Sequence, residues 1–139
     1  MNAVIYVSKR GNTKKLAHAI AKGAGVKAQS ADHAANLTRA EILFVGGSIY
    51  AGRISGVLHK FLQNLDQKQA ANVVVFGTSA SGKSIRDEVA SILEPKGIPV
   101  AAEGFHCKGS FLCLNLGRPN ADDLARAEDF AKRTCKSGL

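Results

Sequence analysis

The chain is poor in several residue types, and each scarcity closes off a class of protein. Among 139 residues there are three cysteines, three prolines, two tyrosines and no tryptophan. Three cysteines in a chain this long do not make a disulfide framework, and they are read as reduced thiols. The first residues run straight into an apolar strand pattern, with no basic segment followed by a long apolar stretch, so the expected location is cytoplasmic. No apolar run approaches the ~18 residues needed to span a bilayer, so no integral membrane segment is expected. Internal repeats and low-complexity tracts are absent. Acidic residues are also scarce: 11 Asp and Glu stand against 19 Lys and Arg, for a net charge of +8. Such an excess favours acidic partners, phosphorylated ligands or anionic surfaces. The basic residues are spread along the chain, and no Lys/Arg run interleaves with aromatics, so nucleic acid is not an expected partner.

The chain does have a core. Its apolar share is 45%, and residues 1–139 are expected to form a single domain. Apolar runs alternate with helical patterns. Strands are expected at 3–7, 26–30, Ile42–Val45, Val73–Phe76 and Ile98–Ala102. The runs Ile42-Leu43-Phe44-Val45 and Val73-Val74-Val75-Phe76 are continuously apolar, as in strands buried on both faces. Helices are expected over 13–23, stopped by Gly23 and Gly25, and around Ile54, Val57, Leu58, Phe61, Leu62 and Leu65, which share one face. Another is marked by Ile85, Val89, Ile92 and Leu93 and ended by Pro95 and Gly97. The last is capped by Asn120, with Asp122 and Asp123 in its first turn and a stripe of Leu124, Ala127, Phe130 and Ala131. Residues 32–38 read as irregular with a turn of helix, and 103–119 as a long loop. Alternating strands and helices imply a parallel sheet covered on both faces.

In such a sheet, ligands bind beyond the carboxyl ends of the strands. Three Gly- and Ser-rich loops follow strand ends, at 8–13, 46–53 and 77–83, and are expected to converge. The first, Ser8-Lys9-Arg10-Gly11-Asn12-Thr13, opens a helix. A helix N-terminus carries unpaired N–H groups and roughly half a positive charge. Gly11 lets the backbone come close, and Ser8, Asn12 and Thr13 add donors. This is a recipe for holding a phosphate. The third loop, Gly77-Thr78-Ser79-Ala80-Ser81-Gly82-Lys83-Ser84, also fits the pattern G-x-x-x-x-G-K-[ST], which would put Lys83 on the phosphates of a nucleoside triphosphate and Ser84 on Mg²⁺. Against that reading, the pattern lies late in the chain, and the one strand expected after it, Ile98–Ala102, does not end in an Asp. His106, Cys107 and Cys113 do not have zinc-ligand spacing, and no metal site is expected. No Ser-His-Asp or carboxylate-pair arrangement marks a catalytic centre.

Ser8-Lys9-Arg10-Gly11-Asn12-Thr13 resembles the flavodoxin phosphate loop, commonly Ser/Thr-x-Thr-Gly-Asn-Thr. Val45-Gly46-Gly47-Ser48-Ile49-Tyr50-Ala51-Gly52 is similar to the second, flavin-contacting loop of flavodoxin-like proteins, and Gly77–Gly82 falls where the third belongs. Gly117-Arg118-Pro119-Asn120 and the following helix also look like many small members of that family. The resemblance covers essentially the whole chain. It implies a three-layer, doubly wound α/β fold with a five-stranded parallel sheet of order 2-1-3-4-5 and helices on both faces. It further implies noncovalent FMN, electron transfer to redox partner proteins, and a monomer or weak dimer. By position, Ser8, Lys9, Arg10, Gly11, Asn12 and Thr13 would hold the phosphate. Ser48, Ile49, Tyr50, Ala51 and Gly52 would flank the isoalloxazine, with Tyr50 as the stacking ring. Thr78, Ser79, Ala80, Ser81 and Gly82 would line its other edge.

The match departs from the family in three places. Arg10 stands where the family usually has Thr, and an arginine meets a phosphate bidentately. The third loop has no aromatic, which leaves Phe105, His106 or Phe111 as candidates to cover the ring. The charge is +8, whereas flavodoxin carriers are usually acidic. Arg10, Arg53 and Lys83 near the site imply a reduction potential less negative than that of acidic carriers. The resemblance as a whole implies an electron carrier rather than a stand-alone enzyme. The alternatives are a quinone-linked flavoenzyme like the flavodoxin-like protoporphyrinogen oxidases (similar at Gly47–Arg53 but longer), the triphosphate reading of 77–84, and a cofactor-free interaction module.

Overall fold

The apolar runs become sheet because each alternates between two cores. The computed structural model describes residues 1–33, 37, 39–50, 52–109 and 115–137, with the side chains of His33 and Tyr50 left out of the description. Strands β1 (Asn2–Tyr6), β2 (Ala28–Ser30), β3 (Ala40–Tyr50), β5 (Ala70–Ser79) and β6 (Phe105–Lys108) form a parallel sheet in the order β2-β1-β3-β5-β6. A two-residue β4 (Arg53–Ile54) pairs antiparallel with the end of β3. Without that short side strand, the order is the expected 2-1-3-4-5.

Ile5, Leu43, Val45, Val73 and Val75 point to one face, where helices α2 (Gly56–Asn64) and α3 (Arg86–Leu93) cover them with Leu58, Leu62, Val89 and Leu93. Val4, Ile42, Phe44, Val74 and Phe76 point to the other. There α1 (Asn12–Ala24) and α4 (Ala121–Ser137) supply Leu16, Ile20, Ala127 and Ala131. This one-residue alternation within apolar strands puts a helix layer on each face. Each large side chain so buried contributes about 1.5–3 kcal/mol.

Several expectations need correction. Gly46 to Tyr50 is strand rather than loop, and so is Gly77 to Ser79, because β3 and β5 stay in register through Gly47↔Gly77 and Ser48↔Thr78. The fifth sheet strand is Phe105–Lys108, inside the stretch read as loop. Ile98–Ala102 contributes only the bridge Val73↔Val100, although Ile98 and Val100 are buried. Gly23 lies inside α1 and does not stop it. The stop is Gly25, in a left-handed conformation, and Gly23 instead marks where α1 crosses α4: an added Cβ would stand 2.2 Å from the Glu128 carbonyl oxygen. Val57 is 46% exposed and leaves the α2 core stripe. The expected turn of helix in 32–38 occurs at Ala31–His33.

The last helix begins with a reciprocal cap. The Asp123 N–H donates to Asn120 Oδ1 at 2.9 Å, and the Asn120 N–H donates to Asp123 Oδ2 at 2.8 Å. Asp123 is fully buried and takes two further charged donors: Arg118 Nε at 2.6 Å and Arg126 Nη2 at 2.9 Å. The Arg118 guanidinium holds the carboxyl below the ordinary carboxylate range, against the opposing effect of burial. Asp123→Ala should cost about 2 kcal/mol, since a cap and a charged hydrogen bond go together, while Asp123→Asn should keep much of the cap. Urea denaturation decides between them, and equal midpoints for the two variants would show that the cap contributes nothing.

Candidate functional site

The three loops meet. At the carboxyl edge of the sheet, Thr13 from α1, Ser48 from β3 and Thr78 from β5 form a triangle of hydroxyls. Thr13 Oγ1 lies 2.6 Å from Ser48 Oγ and 3.1 Å from Thr78 Oγ1, and Ser48 Oγ lies 2.9 Å from Thr78 Oγ1. Thr13 and Thr78 are buried. Three hydroxyls carry three protons for three contacts, so the ring satisfies itself and each oxygen keeps acceptor capacity. A bound anion can turn those protons outward.

The first loop leads into α1 through Gly11, whose φ of +89° is the left-handed conformation glycine adopts without strain. Its N–H donates to Ser8 Oγ at 3.0 Å, which fixes the loop's curvature. An added Cβ on Gly11 would meet nothing within 4 Å, so the space above this turn is open. Lys9 and Arg10 are exposed beside it.

This end of α1 differs from the other α-helix starts among the described residues. The helix has no side-chain cap and no acidic residue in its first turn. Each of the other three helices has one or the other. Ser55 Oγ caps α2 by accepting from the Leu58 N–H, α3 carries Asp87 and Glu88 in its first turn, and α4 has the Asn120–Asp123 pair.

The second loop is tighter than expected. Ile49 pairs with Ile54 and Tyr50 with Arg53, antiparallel, at the end of β3. Glu88 anchors this pairing by accepting from the Ile54 N–H at 3.0 Å. The expected contributions of Ala51, the Tyr50 ring, Phe111 and Cys113 lie outside the described residues.

The third loop begins as strand and closes on itself. The Gly82 N–H donates to Ser79 O at 3.3 Å, the Ser79 hydroxyl to Lys83 O at 3.3 Å, and the Lys83 N–H to Ser81 Oγ at 3.3 Å. Lys83 and Ser84 precede α3 rather than opening it. A tight turn of this kind does not present the wide ring of amides that cradles a triphosphate.

A fourth segment, 103–119, completes the edge through Gly109 and Asn115, which sequence reasoning did not single out. The Gly109 N–H donates to Ser79 O at 3.0 Å, and Asn115 Nδ2 donates to Ala80 O at 2.7 Å. Asn115 has a φ of +54°. Asparagine tolerates that conformation better than most residues, and an Asn among leucines was the one available signal.

His106, on β6, backs the third loop. Its Nε2 accepts the Ile85 N–H at 3.2 Å and lies 3.3 Å from the Ser84 hydroxyl. Nε2 is therefore unprotonated, and the neutral ring carries its proton on Nδ1. Burial lowers the His106 pKa from 6.5 to about 4. The unfolded chain thus binds this proton more tightly. The associated stability is fully present above pH 6.5 and is lost as pH falls from 6.5 toward 4, by up to about 3 kcal/mol. Denaturation of the wild type and His106→Gln across that window tests this, and parallel pH profiles would refute it.

Cys107 is buried. Its thiol is pushed up to about 11, first by burial and then by the Asp123 charge, with Arg118 and Arg126 opposing. It is a protonated, unreactive thiol. Among the described residues, no three His, Cys, Asp or Glu side chains gather as metal ligands, and no helix is long and apolar enough to cross a membrane.

Comparison with known proteins agrees with this geometry. The chain is 28% identical to an uncharacterized protein of Methanocaldococcus jannaschii, over 91% of each. It shares its fold with a flavodoxin from the domain Archaea (TM-score 0.76, 23% identity, 99% of this chain and 98% of that one). The same holds for a flavodoxin of Streptococcus pneumonia TIGR4 (TM-score 0.73, 18% identity, 99% of each chain). The family model of the flavodoxin domain matches residues 3–103, which span the three loops and most of the sheet. The chain therefore belongs to the flavodoxin domain family.

Proposed function

We propose that this protein binds FMN noncovalently and carries electrons to partner proteins. The observation that carries the reading is the N-terminus of α1, which among the described α-helices is the start without side-chain cap or first-turn carboxylate and opens at Gly11 beside the Thr13–Ser48–Thr78 hydroxyls. A phosphate dianion supplies the missing negative charge. The donor set fits it: backbone amides, hydroxyls and the cations Lys9 and Arg10, with no Asp or Glu anywhere in 8–31.

In this assignment Ser8, Lys9, Arg10, Gly11, Asn12 and Thr13 hold the phosphate. The end of β3 (Ser48, Ile49, Tyr50) with Ala51 and Gly52 lies along one side of the ring. Thr78, Ser79, Ala80, Ser81 and Gly82 lie along the other, held in place by Asn115 and Gly109. Bound flavin supplies the redox chemistry, and the chain anchors it, orients it and sets its field. No side-chain acid or base is needed for electron transfer.

Titration of the apoprotein with FMN, followed by flavin fluorescence with ATP–Mg²⁺ as parallel ligand, tests the reading. Stoichiometric quenching by FMN that is weakened in Arg10→Ala/Thr13→Ala supports it. Binding of ATP alone, lost in Lys83→Ala, would replace it with the triphosphate reading.

A further inference from the structure

The carboxyl edge of the sheet is basic out of proportion to its share of the chain. The stretches 8–31, 42–65, 67–86 and 104–121 supply most of its loops, and none contains an Asp or a Glu; the turn that follows β2 adds one exposed acid, Asp32. Lys9, Lys14, Lys15, Arg53, Lys83 and Lys108 are exposed on them. The other acids near this edge open α3 and α4. Glu88 accepts from the Ile54 N–H, Asp87 lies 3.4 Å from Arg86, and Asp122 and Asp123 pair with Arg126 and Arg118. Asp32 and Glu88 offset part of the lysine and arginine charge and the other three acids are ion-paired, so the net charge at this edge is positive.

Beside these cations stands Leu116, 73% exposed and, among the described residues, the most exposed large apolar side chain after Met1. It does not sit on a loose tip. The Arg118 N–H donates to Asn115 O at 3.0 Å and closes a turn beneath it, Asn115 Nδ2 ties that turn to Ala80 O, and Arg118 is held by buried Asp123. An exposed apolar side chain on a hydrogen-bonded turn at a basic edge is the layout of a binding anchor with a polar rim.

We propose that this edge docks an acidic redox protein that receives Leu116 in an apolar depression while its carboxylates face the lysines. This identifies the partner class of the electron-transfer reading and rests on it. The field of the edge steers encounter, and Leu116 fixes register. A nucleic acid or an anionic membrane would answer the charge equally well, but a nucleic acid makes no use of the leucine, and one leucine buries too little apolar area to hold a chain on a membrane.

The test uses the FMN-loaded, ¹⁵N-labelled chain and two probes of opposite sign: a plant-type [2Fe–2S] ferredoxin, which is acidic, and cytochrome c, which is basic. Amide shift changes should appear with the ferredoxin and cluster at 9–15, 53, 81–84, 108 and 115–118. The affinity should fall about tenfold between roughly 20 and 200 mM salt, as screening shortens the reach of the field. Lys14→Gln/Lys83→Gln/Lys108→Gln should weaken it about tenfold, while the distal set Lys27→Gln/Lys68→Gln/Lys136→Gln should change it less than about twofold. Leu116→Ser should cost about fivefold.

The proposal is overturned by equal or tighter binding of cytochrome c, by equal effects of the two lysine sets, or by an unchanged affinity in Leu116→Ser. Tighter binding of duplex DNA or of phosphatidylserine vesicles at the same footprint overturns it as well. Flavin loading is read separately from flavin absorbance. A chain that takes no FMN but keeps the ferredoxin footprint refutes the cofactor reading and leaves the surface standing, whereas a loaded chain without the footprint refutes the surface alone.

Discussion

Gly77→Ala should destabilise the protein by about 3 kcal/mol and lower its melting temperature by roughly 10 °C. Gly77 pairs with Gly47 in the central β3–β5 ladder, and a Cβ there would stand 2.3 Å from the Gly47 carbonyl oxygen. The obstacle is backbone, so no rotamer change relieves it. The strands must separate, and the next pair along the ladder is Ser48↔Thr78. The hydroxyl triangle should therefore loosen with the sheet, and FMN affinity should fall in the same variant. Thermal denaturation followed by far-UV circular dichroism gives the first number. A midpoint within 2 °C of wild type, a fraction of the shift expected per kcal/mol, would mean that the strands part easily and that the glycine pair is incidental.

The second large effect concerns the phosphate. Riboflavin has the FMN ring without its anion, so the difference between the two ligands isolates the α1 end. Two or three charge-assisted hydrogen bonds from amides and hydroxyls, each contributing about 1.5 kcal/mol, predict FMN binding about 150- to 2,000-fold tighter than riboflavin. Thr13→Val removes one hydroxyl of the triangle and should narrow that ratio by acting on FMN alone. Fluorescence titration of both ligands measures it. Riboflavin binding within tenfold of FMN would place the phosphate in solvent and remove the α1 end from the site.

Much of this was legible in the sequence, for identifiable reasons. The runs Ile42–Val45 and Val73–Phe76 are apolar on both faces, so their place at the centre of a covered sheet followed directly. Gly46-Gly47-Ser48 and Gly77-Thr78-Ser79 continue those strands but were read as loops, because small residues mark close backbone approach as often as they mark turns. Phe105–Lys108 was missed since an edge strand of four residues buries only Cys107 fully, too short an alternation to register. Ile98 and Val100 misled in the opposite direction, being buried by packing against the α2–α3 side without forming a strand. At the site, which loops converge followed from the topology rule alone. The side chains that brace them did not. The hold of Asn115 on Ala80 and of His106 on Ile85 joins residues 35 and 21 apart, and no local pattern carries such contacts.

Asn2 Nδ2 donates to Cys135 Sγ at 3.2 Å, which seats the first strand against the last helix. Asn2 opens β1 and Cys135 lies near the close of α4, so both lie at the sheet edge opposite the phosphate loop. The fold is thus a cassette. New polypeptide spliced at either of those points leaves from the far side, and a fused enzyme, tag or electrode linker can be added there while the three loops keep their shape.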